Sequence, residues 1–202
     1  MGAALTDLDA QIYEAHNHNA RLFSIFFDME NAFLRVWHFL ICKSLYQKGL
    51  RGHPPQLIQN YLKNRLFKVR VSNALLSSQR QHNGIPQGSP LSGTLFLLAI
   101  DDIVKQIPSS LQSLLFVDDL SIHLRSSNPQ RAYRILQEAI PSILSWLSAH
   151  GFRISALQTK FIISIKPHSK KPINFPKLRV GHTEISPSSL SLIHISEPTR
   201  PY

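Results

Sequence analysis

Three aspartates in this sequence lie within or directly after strongly apolar segments, where an unpaired carboxylate is costly. Asp118 and Asp119 are adjacent in LLFVDDLSI, and Asp28 ends LFSIFFD ninety positions earlier. Like charges brought close together repel and raise one pKa unless a cation neutralises them. Carboxylate oxygens suit Mg²⁺, and two such ions can clamp the attacking and leaving oxygens of a phosphoryl transfer. The chemistry indicated is metal-dependent phosphoryl transfer.

Each aspartate also has a purely structural explanation. An Asp-Asp pair between two apolar runs is often only a hairpin turn. Asp28 could equally be the N-cap of the helix that follows it. The chemical interpretation therefore depends on whether the surrounding elements bring the three carboxylates together.

The elements around the aspartates predict such a meeting. Residues 22–28 have the composition of a short buried strand. The segment LLFVDDLSIHL predicts a hairpin with its two acids at the turn, where side-chain alternation relaxes. If these strands are neighbours in one sheet, all three carboxylates face a common point.

The rest of the chain predicts an α+β fold, with helices packed on one face of an antiparallel sheet. We expect, in chain order, a helix over 30–49 ending at Gly49, a helix from His53, a half-exposed strand over 66–73, a Gly/Pro loop with Ser89 capping a helix, a long helix from Asn128 to Ala149, and a strand from Phe152.

Composition indicates the kind of partner. There are 22 Lys and Arg against 12 Asp and Glu, a formal net charge of +10. Such an excess favours a polyanion such as nucleic acid, although it also simply keeps a protein soluble. The single cysteine, Cys42, suits a reducing compartment, the nucleus or cytoplasm. No apolar run reaches the roughly 20 residues that a bilayer requires, so we expect no membrane association.

Taken together, the segments resemble the palm of a reverse transcriptase from a non-LTR (LINE-like) retrotransposon. The resemblance is carried by SIFFDMENAFLRVWH, GHPPQLIQNYLKNRLFKVRVSN, NGIPQGSPLSGTLFLLAIDDI, FVDDLSI and SWLSAHGFRISALQTKFIIS, from about Leu5 to about Ile185. It implies a right-hand polymerase palm with fingers and thumb largely missing. It also implies an RNA-directed DNA polymerase that adds dNTPs to a DNA primer on an RNA template.

The resemblance implies roles for individual residues. Asp28, Asp118 and Asp119 would be catalytic and hold two Mg²⁺ ions, with Mn²⁺ as the alternative. Phe33 would select deoxynucleotides by excluding a 2′-hydroxyl, although it could equally be a core residue of its helix. Gln87 and Gly88 would line the template–nucleotide pocket, with a plain helix-entry turn as the alternative. Four cations could follow nucleic-acid phosphates or simply form a solvated strand face: Lys63, Arg65, Lys68 and Arg70.

The sequence also departs from the family pattern. Leu34 stands where a second Asp is usual, Asn31 where Lys is common, and Gln158 where a Lys could protonate the departing pyrophosphate. Lys160 is a candidate substitute for that Lys. These departures leave open a catalytically dead remnant that at most binds nucleic acid. A viral RNA-dependent RNA polymerase is disfavoured, because that family has Asp at the position of Phe33.

We expect residues 1–189 to be a palm fragment, since the 27 residues before Asp28 are too few for a fingers subdomain. Residues 190–202 contain LSLIHISEPTR, which resembles a translated sequencing-library adaptor, and we expect them to be non-native. A genuine amphipathic tail is the alternative. The sequence indicates no oligomeric state.

Overall fold

The computed structural model describes residues 2–164 and 175–190. The expected tail therefore lies outside the described residues, apart from Leu190. Six α-helices are described: α1 (Gly2–Asn17), α2 (Ala32–Arg35), α3 (His38–Gln47), α4 (His53–Leu62), α5 (Ser92–Ile100) and α6 (Pro129–Ala149). The described strands are β1 (Arg21–Phe27), β2 (Leu66–Phe67), β3 (Arg70–Val71), β4 (Ala74–Leu75), β5 (Gln79–Arg80), β6 (Gln112–Phe116), β7 (Asp119–Ser126), β8 (Lys160–Ser164), β9 (Leu178–Val180), β10 (Thr183–Ile185) and β11 (Pro187–Leu190).

The chain divides into two compact units, each described here by itself. The first contains residues 1–29, 104–146 and 154–202, and the second contains residues 30–103 and 147–153. Within the described part of the chain, no helix is both long and apolar enough to cross a bilayer.

The first unit is built on a five-stranded sheet with strand order β11-β8-β1-β7-β6. All pairings are antiparallel except that between β11 and β8. The central strand β1 has the sequence RLFSIFF, and its apolar composition suits a strand with a neighbour on each side. The structure thus confirms the expected strand over 22–28 and an antiparallel-dominated α+β fold.

Aromatic packing joins this sheet to α6. The ring of Phe175 lies 5.2 Å from that of Phe23 on β1 and 5.2 Å from that of Phe161 on β8. On its other side it makes an edge contact, at 6.0 Å, with Tyr133 of α6. Phe23 and Phe161 are almost fully buried, so these rings form part of the core beneath the sheet.

The second unit contains α2 to α5, and here one expectation is wrong. The helix expected over 30–49 is two helices, because Val36 and Trp37 adopt extended backbone angles between α2 and α3. The carbonyl of Val36 accepts a hydrogen bond from Gly84 N–H at 2.7 Å, and that of Phe33 accepts one from Ile85 at 2.9 Å. These carbonyls serve a distant loop instead of continuing the helix.

Two further expectations in this unit need correction. The strand over 66–73 is interrupted and is not half-exposed: β2 and β3 are two residues each, and every side chain from Leu66 to Arg80 is exposed. We call residues 66–80 the arm. Ser89 does not cap α5, which begins at Ser92. Its hydroxyl instead accepts a hydrogen bond at 2.7 Å from the hydroxyl of Tyr61 on α4.

Candidate active site

The predicted hairpin exists and places two of the three aspartates at its tip. Strands β6 and β7 pair up to Phe116 and Asp119, so Val117 and Asp118 form a two-residue turn. Val117 has φ of +55°, and Asp118 is not among the residues with positive φ. A positive φ at only the first central residue is the pattern of a type II′ turn, one of the two that match the twist of a hairpin.

Strand register brings the third aspartate to this tip. In the β1–β7 pairing, Phe26 lies opposite Ser121 and Phe27 opposite Leu120. Asp28 directly follows Phe27 and Asp119 directly precedes Leu120, so both lie at the same end of the β1–β7 pair. These two carboxylates, ninety-one positions apart in the chain, therefore lie at one end of the sheet.

Asp119 lies within electrostatic reach of the other two carboxylates. Partial desolvation raises the pKa of Asp119, and the negative charges of Asp118 and then Asp28 raise it further. Among the described residues, no group of three or more His, Cys, Asp or Glu side chains is arranged to hold a metal ion. The donor set nevertheless fits one, because hard carboxylate oxygens are the ligands of Mg²⁺ and a cation would relieve the repulsion at Asp119.

Backbone contacts from residues 154–159 hold Asp28 in place. Its carbonyl accepts a hydrogen bond from Ser155 N–H at 2.8 Å, and Met29 forms a bridge with Ile154. The buried Thr159 hydroxyl lies 3.5 Å from Asp28 N and donates to the Ser155 carbonyl at 2.8 Å. Sequence analysis missed Ser155 and Thr159 as supports of the site. The only signal was their position in the fifth of the family-like segments, SWLSAHGFRISALQTKFIIS.

Phe33 lies in the second unit, in an aromatic stack. Its ring is 5.1 Å from that of Phe96 on α5, at an interplanar angle of 23°, and Phe96 in turn makes an edge contact with Phe152. Phe96 and Phe152 are buried, whereas Phe33 is half-buried. A partly exposed ring held by a buried one is compatible with both roles considered for Phe33.

The Gly/Pro loop is attached to the same region of the second unit. Ile85 N–H donates to the Phe33 carbonyl, as described above, so the start of the loop is fixed to α2. Gln87 and Gly88 then form an exposed turn in which Gly88 has φ of +82° with open space around its Cα. The structure thus brings Phe33 and this loop into one unit.

The four expected nucleic-acid-binding cations are also in the second unit. Lys63 follows α4, Lys68 and Arg70 lie on the arm, and all three side chains are exposed. Arg65, at the base of the arm, is half-buried, and its Nε is enclosed without a hydrogen-bond partner among the described residues.

Comparison with known proteins assigns the chain to a protein family. It belongs to the reverse transcriptase (RNA-dependent DNA polymerase) family, whose sequence profile matches residues 3–180. This family consists of nucleotidyltransferase enzymes, and its members generally use divalent metal ions.

Individual relatives show which kind of reverse transcriptase the chain resembles. The chain is 29% identical over 152 residues to the RNA-directed DNA polymerase from mobile element jockey of Drosophila melanogaster, covering 71% of the chain and 16% of the relative. It is 27% identical to the probable RNA-directed DNA polymerase from transposon BS and 26% identical to that from transposon X-element, both of Drosophila melanogaster. Those matches cover 75% and 84% of the chain, and 17% and 19% of the relatives. These relatives confirm the predicted resemblance to non-LTR retrotransposon reverse transcriptases. The chain spans only about one sixth to one fifth of their length.

Solved structures share the fold. Apo telomerase from Candida tropicalis, truncated from its C-terminal domain, superposes with a TM-score of 0.57 at 16% identity, covering 83% of the chain and 37% of that protein. Candida albicans telomerase in complex with a fragment of telomeric RNA gives 0.56 at 14% identity, with coverages of 89% and 32%. This similarity supports the predicted polymerase palm.

Proposed function

We propose that this chain is the palm of an RNA-directed DNA polymerase from a non-LTR retroelement, which joins a dNTP to a primer 3′-hydroxyl. The observation that carries the proposal is the convergence of Asp28 with the Asp118–Asp119 hairpin at one end of the sheet. The β1–β7 register and the raised pKa of Asp119 support this convergence.

In this proposal, Asp28, Asp118 and Asp119 hold the divalent ions. Two bound Mg²⁺ ions would activate the primer hydroxyl and neutralise charge on the leaving pyrophosphate. Other residues of the chain hold these three carboxylates in position. Ser155 and Thr159 fix the backbone of Asp28, while the tight turn at Val117 and Asp118 keeps the other two carboxylates adjacent.

The second unit contributes substrate contacts. The half-buried Phe33 ring, held against Phe96, excludes a ribose 2′-hydroxyl, and Gln87 and Gly88 line the pocket for the template base and incoming dNTP. Lys63, Arg65, Lys68 and Arg70 contact phosphates of the RNA template or DNA primer. We expect this polymerisation to take place inside the cell, in the nucleus or cytoplasm.

Primer extension on an RNA template tests the proposal. The protein is supplied with fingers and thumb segments from a related polymerase, and Asp118→Asn is compared with the unaltered chain. Removing a metal ligand removes several kcal/mol of transition-state stabilisation, so we expect roughly a hundred-fold or greater loss of incorporation. Glu138→Gln, at an exposed position on α6, is the matched control and should leave incorporation unchanged.

Two outcomes would contradict the proposal. Equal incorporation by the unaltered chain and Asp118→Asn would remove the metal assignment. No incorporation by any protein would favour the alternative of a nucleic-acid-binding remnant, in line with Leu34 and Gln158 at positions where the family has other residues.

A further inference from the structure

The net positive charge of the chain lies almost entirely in one segment. Residues 31–100 contain nine Lys and Arg and no Asp or Glu. All of these residues belong to the second unit. Two of the nine cations pair with acids that flank the stretch, Arg35 with Glu30 and Lys48 with Asp101. The other seven leave an excess of positive charge that is complementary to a polyanion.

The arm is the most exposed part of this segment. Leu66 pairs with Arg80 and Phe67 with Gln79, and further along Arg70 pairs with Leu75 and Val71 with Ala74. Between these two ladders, residues 68–69 lie opposite residues 76–78. The two ladders are separate two-stranded sheets, so strand pairing is interrupted between them. The result is an interrupted hairpin with both faces open, since all fifteen residues are exposed.

The arm combines cations with an accessible aromatic ring. Phe67 is 46% exposed and adjoins Lys68. Arg70 and Arg80 lie on either side of it along the hairpin, and neither they nor Lys68 form an ion pair with any described residue. Proteins that bind single-stranded nucleic acid combine these same features, basic side chains along the backbone and aromatic rings on which unpaired bases stack.

We propose that the arm binds single-stranded template RNA. An unpaired base stacks on the ring of Phe67, and Lys68, Arg70 and Arg80 contact phosphates on either side. The function of that RNA as a template rests on the proposed polymerase activity, but the binding itself does not. The exposed ring of Phe67, which is costly in water, gains a partner in the base.

Single-strand preference follows from the geometry of stacking. In a duplex every base is already stacked between its neighbours, so a protruding phenylalanine ring has no free base face to cover. Phosphate contacts, by contrast, are available in both forms. Phe67 therefore contributes preference for single strands, and the three cations contribute affinity and salt dependence.

Equilibrium binding to a labelled RNA oligonucleotide, measured by fluorescence anisotropy on the 202-residue protein without nucleotide or metal, tests the inference. Phe67→Ala should raise Kd for the single strand by roughly 5- to 150-fold and change Kd for the annealed duplex little. Phe39→Ala, at a phenylalanine 69% exposed on α3, is the matched control and should leave both unchanged.

The triple variant Lys68→Ala/Arg70→Ala/Arg80→Ala tests the phosphate contacts. It should reduce the slope of log Kd against log salt by about 2, the loss of three single-strand phosphate contacts. The control triple, Arg131→Ala/Arg134→Ala/Arg179→Ala, removes the same charge from exposed positions of the first unit and should reduce the slope by less than half as much. The assay contains neither nucleotide nor metal, so a failed polymerase assignment would leave this result intact.

The inference is overturned if the unaltered protein does not bind the RNA, or if the arm and control variants behave alike. It is also overturned if arm variants leave RNA binding unchanged but alter self-association, because the arm would then be a protein contact. Melting temperatures of all variants should match that of the unaltered chain, since each substituted side chain is exposed.

Discussion

At the scale of single residues, Val117 carries a conformational cost at the candidate site. Its φ of +55° is rare for a β-branched residue, because the left-handed region crowds its side chain. Glycine is the usual first central residue of a type II′ turn. Strain of this kind costs of order 1–3 kcal/mol and concentrates at functional sites. Here it lies directly before Asp118 and Asp119.

Replacing Val117 should therefore stabilise the protein. Val117→Gly relieves the left-handed strain at some cost in chain entropy, so we expect the free energy of unfolding to rise by about 1 kcal/mol. That change corresponds to roughly 2–4 °C in melting temperature for a chain of this size. Val71→Gly, in the exposed strand β3, is the control and should destabilise slightly. A loss of stability in Val117→Gly equal to that of the control would mean that Val117 is unstrained.

The three aspartates could be singled out as candidates because each interrupts or ends an apolar run, where an unpaired carboxylate is costly. The two residues that hold the backbone of Asp28 in place could not be predicted. Ser155 and Thr159 act through backbone hydrogen bonds to a residue more than 120 positions away, and nothing in their own local pattern distinguishes them from ordinary turn residues.

At the scale of elements, sequence reasoning worked where one strand or helix buries its own apolar side chains. Strand β1 and the β6–β7 hairpin are examples. It was wrong for residues 30–49, because the loop at Gly84 and Ile85 takes carbonyls that helical periodicity assigns to the helix. It offered no element before residue 22, where the structure has α1. The core contact of this helix with β1 rests mainly on Leu8, Ile12 and Ala15 against Leu22, too few residues for a clear pattern.

A buried polar row crosses the sheet between β1 and β7. The ring of His123 hydrogen-bonds the hydroxyl of Ser24 through Nδ1 at 2.9 Å and that of Ser121 through Nε2 at 2.9 Å. All three side chains are buried. Burial lowers the pKa of His123 to about 4, while the carboxylate of Asp7 on α1 acts weakly in the opposite direction.

The histidine should make stability depend on pH. The folded-state pKa lies below the unfolded value of about 6.5, so between these values the unfolded chain takes up a proton that the folded chain does not. The free energy of unfolding is therefore unaffected by this group above about pH 6.5. It falls as the pH drops toward about 4, and His123 accounts for at most roughly 3 kcal/mol of that loss.

Denaturant unfolding at several pH values measures this dependence. His123→Gln keeps polar contacts to the serines but does not titrate, so its stability should fall less over the same window. His53→Gln, at an exposed position at the start of α4, should retain the full dependence. Identical pH profiles for His123→Gln and the unaltered protein would show that His123 is not buried as described.

At the scale of the whole molecule, most of the net positive charge lies in the second unit. That unit has ten Lys and Arg against three Asp and Glu, whereas the first has twelve against nine. The sequence predicted a polyanionic partner from the net charge. It singled out Lys68 and Arg70 but could not predict that both faces of the arm are exposed, because alternation alone predicted one buried face for residues 66–73. Exposure is decided by what packs on a strand, which no local pattern contains.

Binding of Mn²⁺ as a paramagnetic probe tests the central claim, that the three aspartates meet around divalent ions. The account predicts that Mn²⁺ broadens the backbone amide resonances of residues 27–29 and 116–120 in the unaltered protein and that Asp118→Asn weakens this broadening strongly. Absence of broadening at residues 27–29 and 116–120, or equal broadening in Asp118→Asn, would contradict the account.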